Sequence, residues 1–351
     1  MYITERFAPP ILKYALFISF FPQIIQGPIP RYEKLGNELF EGHTFNSQGF
    51  MNGIQLIIWG FFLKFMIADK ASIIVNTVFN NFATYNGLYV WIAAILYSLQ
   101  LYTDFLACVT LSQGISLLFG ISIDDNFQRP YFATSVKDFW RRWHMSLSSW
   151  LRDYVYIPLG GNRKGTCRKN INLLITFIVS GIWHGGQWSF VFWGLLHALY
   201  QIVGQFTKKM QKKAFQLLYI DWNSMVGIFI RRTFTFFWVM LAWIIFRATN
   251  LKIGLQMIKR MFTAFNPWIF FDNSLFRLGL SQKEWEVLIF AIVVLVLVST
   301  LQERCFRIRN WFGHQAFLVR WIVYLASICC IWVLGTYGYG FDAKDFIYGG
   351  F

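Results

Sequence analysis

Among the five histidines of this chain, two stand where an ionisable side chain is costly. His184 closes the run Ser180-Gly-Ile-Trp-His184-Gly-Gly186 at the end of an apolar segment, and ionisable groups at membrane depth are functional candidates by default. Gly185 and Gly186 remove bulk on its carboxyl side, so another backbone or a ligand has room to approach. A dry, crowded place favours the uncharged imidazole, which is the form that acts as a general base. His144 lies in Asp138-Phe-Trp-Arg-Arg-Trp-His144, on the apolar stripe of a helical pattern. For both histidines the competing reading is structural, a ring hydrogen-bonded to a carbonyl or packed in a core. His197 lies 13 residues beyond His184, about 220° further round if the helix is continuous, and is read as a supporting residue. His43 and His314 sit in polar flanks and are read as solvated.

Other chemistries fail on spacing. His144 and His184 are 40 residues apart, no HExxH occurs and no carboxylate stands at i+3 or i+4 from His184, so no metal site is expected. Neither GxGxxG nor GxxxxGK[ST] is present, which removes the common nucleotide-binding loops. Gly181 and Gly185 form a GxxxG spacing, which beside His184 reads as close packing around a site.

The elements that must position these rings are set by composition. The 351 residues are 56% hydrophobic and only 14% charged, against roughly 45–50% and 25% in soluble globular proteins. The 16 Trp, 16 Tyr and 39 Phe suit repeated crossings of the membrane–water boundary, where aromatic rings with a polar edge are favoured. These values exclude soluble, disordered and collagenous classes and indicate a polytopic membrane protein. The net charge of +15 is carried in short runs between apolar segments: Arg163, Lys164, Arg168 and Lys169; Lys208, Lys209, Lys212 and Lys213; Arg304, Arg307 and Arg309. That is the pattern of cytoplasmic loops rather than a nucleic-acid-binding face. The five cysteines form no CxxC pair, so they are read as packing residues rather than a zinc site or disulfide framework.

Segments apolar enough to span or nearly span a bilayer are Ile11–Gln26, Phe50–Ile67, Leu88–Val109, Ile171–Trp183, Trp188–Val203, Thr233–Phe246, Val287–Leu301 and Phe317–Leu334. The shorter ones must extend into their flanks or be re-entrant, since a span needs about 20 residues. Between Leu111 and Gly161 the chain becomes charged, and there Trp140, Trp143, His144, Leu147, Trp150 and Leu151 fall on one helical arc, which predicts one amphipathic helix. Pro158 followed by Gly160, Gly161 and Asn162 predicts a loop. Met1 to Pro10 lacks the pattern of a signal peptide. No internal repeat is visible, and residues 1–351 read as one domain.

Three long motifs carry a resemblance. They are Asp124-Asp-Asn-Phe-Gln-Arg-Pro-Tyr131, the run from Asp138 through His144 to Pro158-Leu-Gly-Gly-Asn-Arg163, and Gly181-Ile-Trp-His184-Gly. Together they are similar to the bacterial alginate and polysaccharide O-acetyltransferase branch of the membrane-bound O-acyltransferase (MBOAT) family. Phe20 to Pro28, Trp243-Ile-Ile-Phe-Arg247 and the ending Phe346 to Phe351 extend the similarity along nearly the whole chain. The family usually carries several more amino-terminal helices before the stretch that begins here near Ile11, which implies a chain truncated at its amino terminus. The resemblance implies an all-α bundle in which re-entrant and amphipathic helices surround a buried tunnel, in the inner, cytoplasmic membrane of a bacterium. It maps the near-invariant catalytic histidine onto His184 and the second family histidine onto His144.

The implied reaction is acyl transfer from a thioester-type donor, such as acetyl-CoA, to a hydroxyl of an exported or cell-wall polysaccharide, with no resident cofactor. A separate extracytoplasmic acetyltransferase-type protein is the implied partner. D-Alanyl transfer to teichoic acid is the alternative within the family, disfavoured by the Pro158–Arg163 continuation that such proteins usually lack. Arg141, Arg142 and Arg152 are candidates for attracting an anionic donor, with interface anchoring as their structural alternative. Asp153, Asn162 and Trp183, from the same motifs, complete the candidate donor- and substrate-binding set. A transporter or flippase is the rival class, but it predicts inverted repeats. A catalytically silent scaffold of a wall-polysaccharide complex is the third reading.

Overall fold

In the computed structural model, residues 10–337 are described apart from Ile25. The motif Phe346–Phe351 therefore lies outside the described residues. Every regular element among those described is helical. In chain order they are α1 (Ile11–Ser19), α2 (Phe21–Ile24), α3 (Tyr32–Phe40), α4 (Ser47–Phe61), α5 (Asp69–Asn80), α6 (Leu88–Leu118), α7 (Val136–Arg142), α8 (Met145–Leu151), α9 (Gly165–His184), α10 (Trp188–Leu217), α11 (Met225–Arg247), α12 (Leu251–Thr263), α13 (Gln282–Glu303), α14 (Ile308–Gly313) and α15 (Phe317–Leu334). Short 3₁₀ and π turns join some of them. Five stretches are long and apolar enough to cross a membrane: Ser47–Asn80, α6, α11, α13 and α15. The chain is a multi-pass, all-α membrane protein.

Two sequence expectations need correction. The segment Ile11–Gln26 is not one helix but the two short helices α1 and α2, separated by Phe20 in an extended conformation. Pro22 is the cause, because a helix running through it would lack the N–H that should reach Ile18 and would drive its ring into that turn. The segment Phe50–Ile67, by contrast, extends into both flanks as its length requires and is the middle of the longer rod Ser47–Asn80. Asn46 caps it by accepting from the amides of Gln48 and Gly49 at 3.0 and 3.2 Å, and a π-helical stretch, Phe62–Ala68, carries it into α5 without a break.

The second correction concerns the amphipathic helix around His144. It is two helices, α7 and α8, with Trp143 extended and His144 left-handed at φ 42°. Its periodicity survives the break, since Trp140, Trp143, His144, Leu147 and Leu151 are all buried, although Trp150 is exposed. The break forms because α8 finds partners for its first amides outside the preceding turn. Met145 N donates to the Asn126 carbonyl at 3.0 Å, and Ser146 N donates to Asn126 Oδ1 at 3.0 Å. Those orphan donors are a helix start that needs no α7 behind it. The loop expected at Pro158–Asn162 is present, with Gly160 and Gly161 both at positive φ. Asn172 Nδ2 of α9 holds it by donating to the Gly161 carbonyl at 2.9 Å.

One apolar core runs from Leu63 of the π stretch to Ile331 of α15 and includes Trp140, Trp143, Trp193 and Trp243. A smaller cluster of Phe20, Leu35 and Ile121 holds the amino-terminal helices to the end of α6. Buried charge accompanies the large core: Lys64 Nζ lies 2.7 Å from Asp69 and 2.8 Å from Asp104. A π turn displaces side chains from the regular helical register, and here that turn contains the lysine.

Candidate active site

His184 is the last residue of α9, and Gly185 at φ 149° turns the chain sharply towards α10. The two helices form an antiparallel hairpin that closes to backbone contact. A Cβ on Gly181 would stand 2.4 Å from the Phe190 carbonyl oxygen, and one on Gly194 would stand 2.1 Å from that of Phe177. Only glycine permits this approach, and it brings the rings of α10 onto the imidazole. Trp193 meets His184 edge-on at 5.1 Å between centroids, and Phe246 of α11 does so at 5.2 Å. Trp183, itself exposed, lies edge-on at 4.8 Å. His184 is buried within this aromatic wall, which excludes water from a ring whose task would be proton transfer.

His144 stands at the break between α7 and α8. It too is buried, with Phe105 of α6 edge-on at 4.8 Å. Its Nδ1 is 3.2 Å from Asn126 Oδ1. The amide oxygen is identified by its partners: the Ser146 N–H can only donate, and Ser146 Oγ also donates to the same atom at 2.9 Å. His144 Nδ1–H must therefore donate to it, which leaves the lone pair on Nε2. Asn126 thus fixes the ring tautomer, and its own side chain is buried.

His197 is not a member of this pair. The helix breaks between His184 and Trp188, so the rotation expected for a continuous helix does not apply. Even so, His197 is wholly buried one turn after Trp193, its Nδ1 accepting from Trp140 Nε1 at 3.1 Å. That bond links α7 to α10 and holds the wall that Trp193 presents to His184.

The remaining candidates scatter. Arg142 is held by Glu303 at 3.0 Å and by Asp138 at 3.3 Å. Arg152 and Asp153 pair at 2.9 Å, and Asp153 also binds Arg31 at 2.8 Å. Arg141 and Asn162 are exposed, Asn162 accepting from the Tyr156 hydroxyl at 3.4 Å. Of the candidate set, Trp183 stands against His184, and the two histidines are its buried members. Asn126 and Glu303 were missed by sequence reading. Asn126 stood within a quoted motif, but its link to His144 spans 18 residues and has no periodic signature.

The family model for membrane-bound O-acyltransferases matches residues 4–246, which contain both histidine motifs. The chain belongs to the MBOAT family. Among curated members, it is 35% identical to a probable alginate O-acetylase of Pseudomonas putida over 260 residues, 74% of this chain and 50% of that protein. It is 36% identical to a peptidoglycan O-acetyltransferase of Helicobacter pylori over 252 residues, 71% of this chain and 46% of the relative. A teichoic acid D-alanyltransferase of Bacillus subtilis is 32% identical over 243 residues, 65% of this chain and 60% of that protein. The chain spans about half the length of the O-acetylating MBOAT relatives it matches.

Proposed function

We propose that this chain is the catalytic membrane part of an O-acyltransferase that moves acetyl groups for O-acetylation of an exported or cell-wall polysaccharide, in a bacterial inner membrane. The observation that carries the reading is that His144 and His184 are both buried imidazoles, each held at a helix end against aromatic rings. Names of its MBOAT relatives support acetyl as the group and a polysaccharide as the acceptor.

In this mechanism His184 accepts the proton of the acceptor hydroxyl as that oxygen attacks the thioester carbonyl carbon. A tetrahedral oxyanion forms, the C–S bond then breaks, and the imidazolium returns its proton to the departing thiolate. The products are an ester and a free thiol. His144, with its tautomer fixed by Asn126, orients the donor or stabilises the developing charge. Acetyl-CoA or another thioester supplies the acyl group. Arg141 and Arg152 assist an anionic donor, whereas Arg142 is held by Glu303 and Asp138. A small group must pass from a buried site to a bulky polymer, so an exported, serine-hydrolase-like acetyltransferase completes the transfer outside.

The test is base-releasable acetate from cells carrying His184→Ala in the encoding gene at matched protein level. Loss of a general base costs about 10²–10⁴-fold in rate, so acetate is expected to vanish. Near-normal acetate would end the catalytic assignment. The similarity to a D-alanyltransferase favours a second reading of the same site. Ester-linked alanine in place of acetate, lost in the same variant, would establish it.

A further inference from the structure

Glu303, the last residue of α13, lies beyond the part of the chain matched by the family model. Its carboxylate gathers three arginines from three separate segments. Arg129 Nε reaches Oε2 at 2.7 Å, Arg142 Nη1 lies 3.0 Å from both oxygens, and Arg232 of α11 is 3.7 Å away. All four side chains are partly buried, with exposures between 20% and 32%, so these charges are screened less than fully exposed pairs.

The two nearer arginines flank the supports of His144. Arg129 follows Asn126 by three residues, and Arg142 precedes His144 by two. The segments are joined by the Gln128 amide, which donates to the Arg142 carbonyl at 2.8 Å. Arg129 also holds a left-handed backbone at φ 50°, a conformation that a non-glycine residue keeps only when its surroundings hold it. Arg232 reinforces the first segment by donating to the Phe132 carbonyl at 3.0 Å. Asp138, 3.3 Å from Arg142, is the second carboxylate of the cluster.

We propose that Glu303 is a positioning residue for His144: one carboxylate at the end of α13 ties down both chain segments that hold the imidazole. Without its charge the three arginines repel one another, the Asn126 segment slides relative to α7, and the Asn126–His144 hydrogen bond is lost. The effect on turnover rests on the role given to His144 above, whereas the effect on the ring does not.

The experiment uses the full protein in detergent, labelled with ¹⁵N in its histidine rings. Five histidines make the spectrum simple, and the His144 signal is the one absent from His144→Ala. In Glu303→Gln that signal is expected to shift while those of His43 and His314 stay in place. Turnover should fall about 10- to 100-fold, the cost of a small misplacement, with little change in KM for the thioester. Glu303→Asp, which keeps the charge, should recover part of the loss. Arg129→Gln releases the same clamp from the other side and should move the same signal, which covers the case in which Glu303→Gln does not accumulate. An unmoved His144 signal in these variants, with any loss confined to melting temperature or protein amount, would overturn the proposal. A moved signal with full acetate output would uphold the clamp and instead remove His144 from the reaction.

Discussion

In the proposed mechanism the part played by His144 depends on which of its nitrogens carries the proton, and the hydrogen bond to Asn126 Oδ1 places it on Nδ1. Replacing Asn126 with Ala would leave the Ser146 amide, its hydroxyl and His144 Nδ1 without the oxygen they share. A buried polar group left unsatisfied costs about 1–3 kcal/mol, so Asn126→Ala is expected to lower the melting temperature and cut acetate output nearly as deeply as His144→Ala. For His144→Ala itself the expected loss is about 10²–10³-fold, the range for a lost donor to developing charge. Acetate per unit of folded protein measures both, and full output from Asn126→Ala would remove the asparagine from the site. His197→Ala should behave differently, since its ring touches the wall and not the reaction: stability falls as Trp140 Nε1 loses its acceptor, while turnover of the folded fraction is largely kept. His314, exposed and bonded to the Asn310 carbonyl at 2.6 Å, should tolerate Ala.

At the scale of elements, the α9–α10 hairpin sets where His184 sits. A methyl on Gly194 would lie 2.1 Å from the Phe177 carbonyl oxygen and must push the helices apart. Overpacking of this kind costs typically 1–3 kcal/mol, and it withdraws Trp193 from the imidazole. Gly194→Ala is therefore expected to lower both melting temperature and acetate. Gly204→Ala on the same helix, where an added Cβ meets nothing within 4 Å, should change neither. Equal behaviour of the two variants would refute close packing as the device. The rod of α4 and α5 carries a second dependence: Lys64 faces both Asp69 and Asp104 inside the core. Removing one member of a buried ion pair costs about 3–5 kcal/mol, so Lys64→Met should sharply reduce the folded protein recovered from membranes. Wild-type recovery and melting temperature would show that the charges are dispensable.

For the whole molecule, the helix pairing places all three basic runs at one end. Lys169, in the second turn of α9, donates to Gln205 in the second half of α10, which brings the Arg163–Lys169 run towards Lys208–Lys213. Arg232, two turns into α11, pairs with Glu303, and the run Arg304–Arg309 begins at the next residue. Short basic loops stay on the cytoplasmic side, so this end is expected to face the cytoplasm. Exposed Cys167 and Cys305 provide the check. In single-cysteine variants an impermeant maleimide should reach both only after the membrane is opened. Labelling of the two from opposite sides would refute the arrangement.

Class, five of the eight expected spans and the histidine motifs were legible in the order of residues because each depends on quantities local to the chain. Ile11–Gln26, Ile171–Trp183 and Trp188–Val203, by contrast, are not among the helices long and apolar enough to cross a membrane. Apolar length decides membrane crossing, as at Phe317–Leu334, whose expected and observed limits coincide. Short motifs carry family membership, and glycine pairs mark turns. The break at His144 was hidden because the apolar stripe continues across it, and the amides that permit the break are satisfied by Asn126, a residue remote in sequence. The first apolar segment was misjudged for the opposite reason, since a local rule about Pro22 outweighed its hydrophobicity. Tertiary structure alone decided that Asn126 selects the tautomer of His144, that Gly181 and Gly194 bring α10 onto His184, and that Glu303 reaches back across 161 residues to Arg142. Hydrogen bonds and ion pairs between distant segments leave no periodic trace in a sequence, because their partners are chosen by how the helices pack rather than by spacing along the chain.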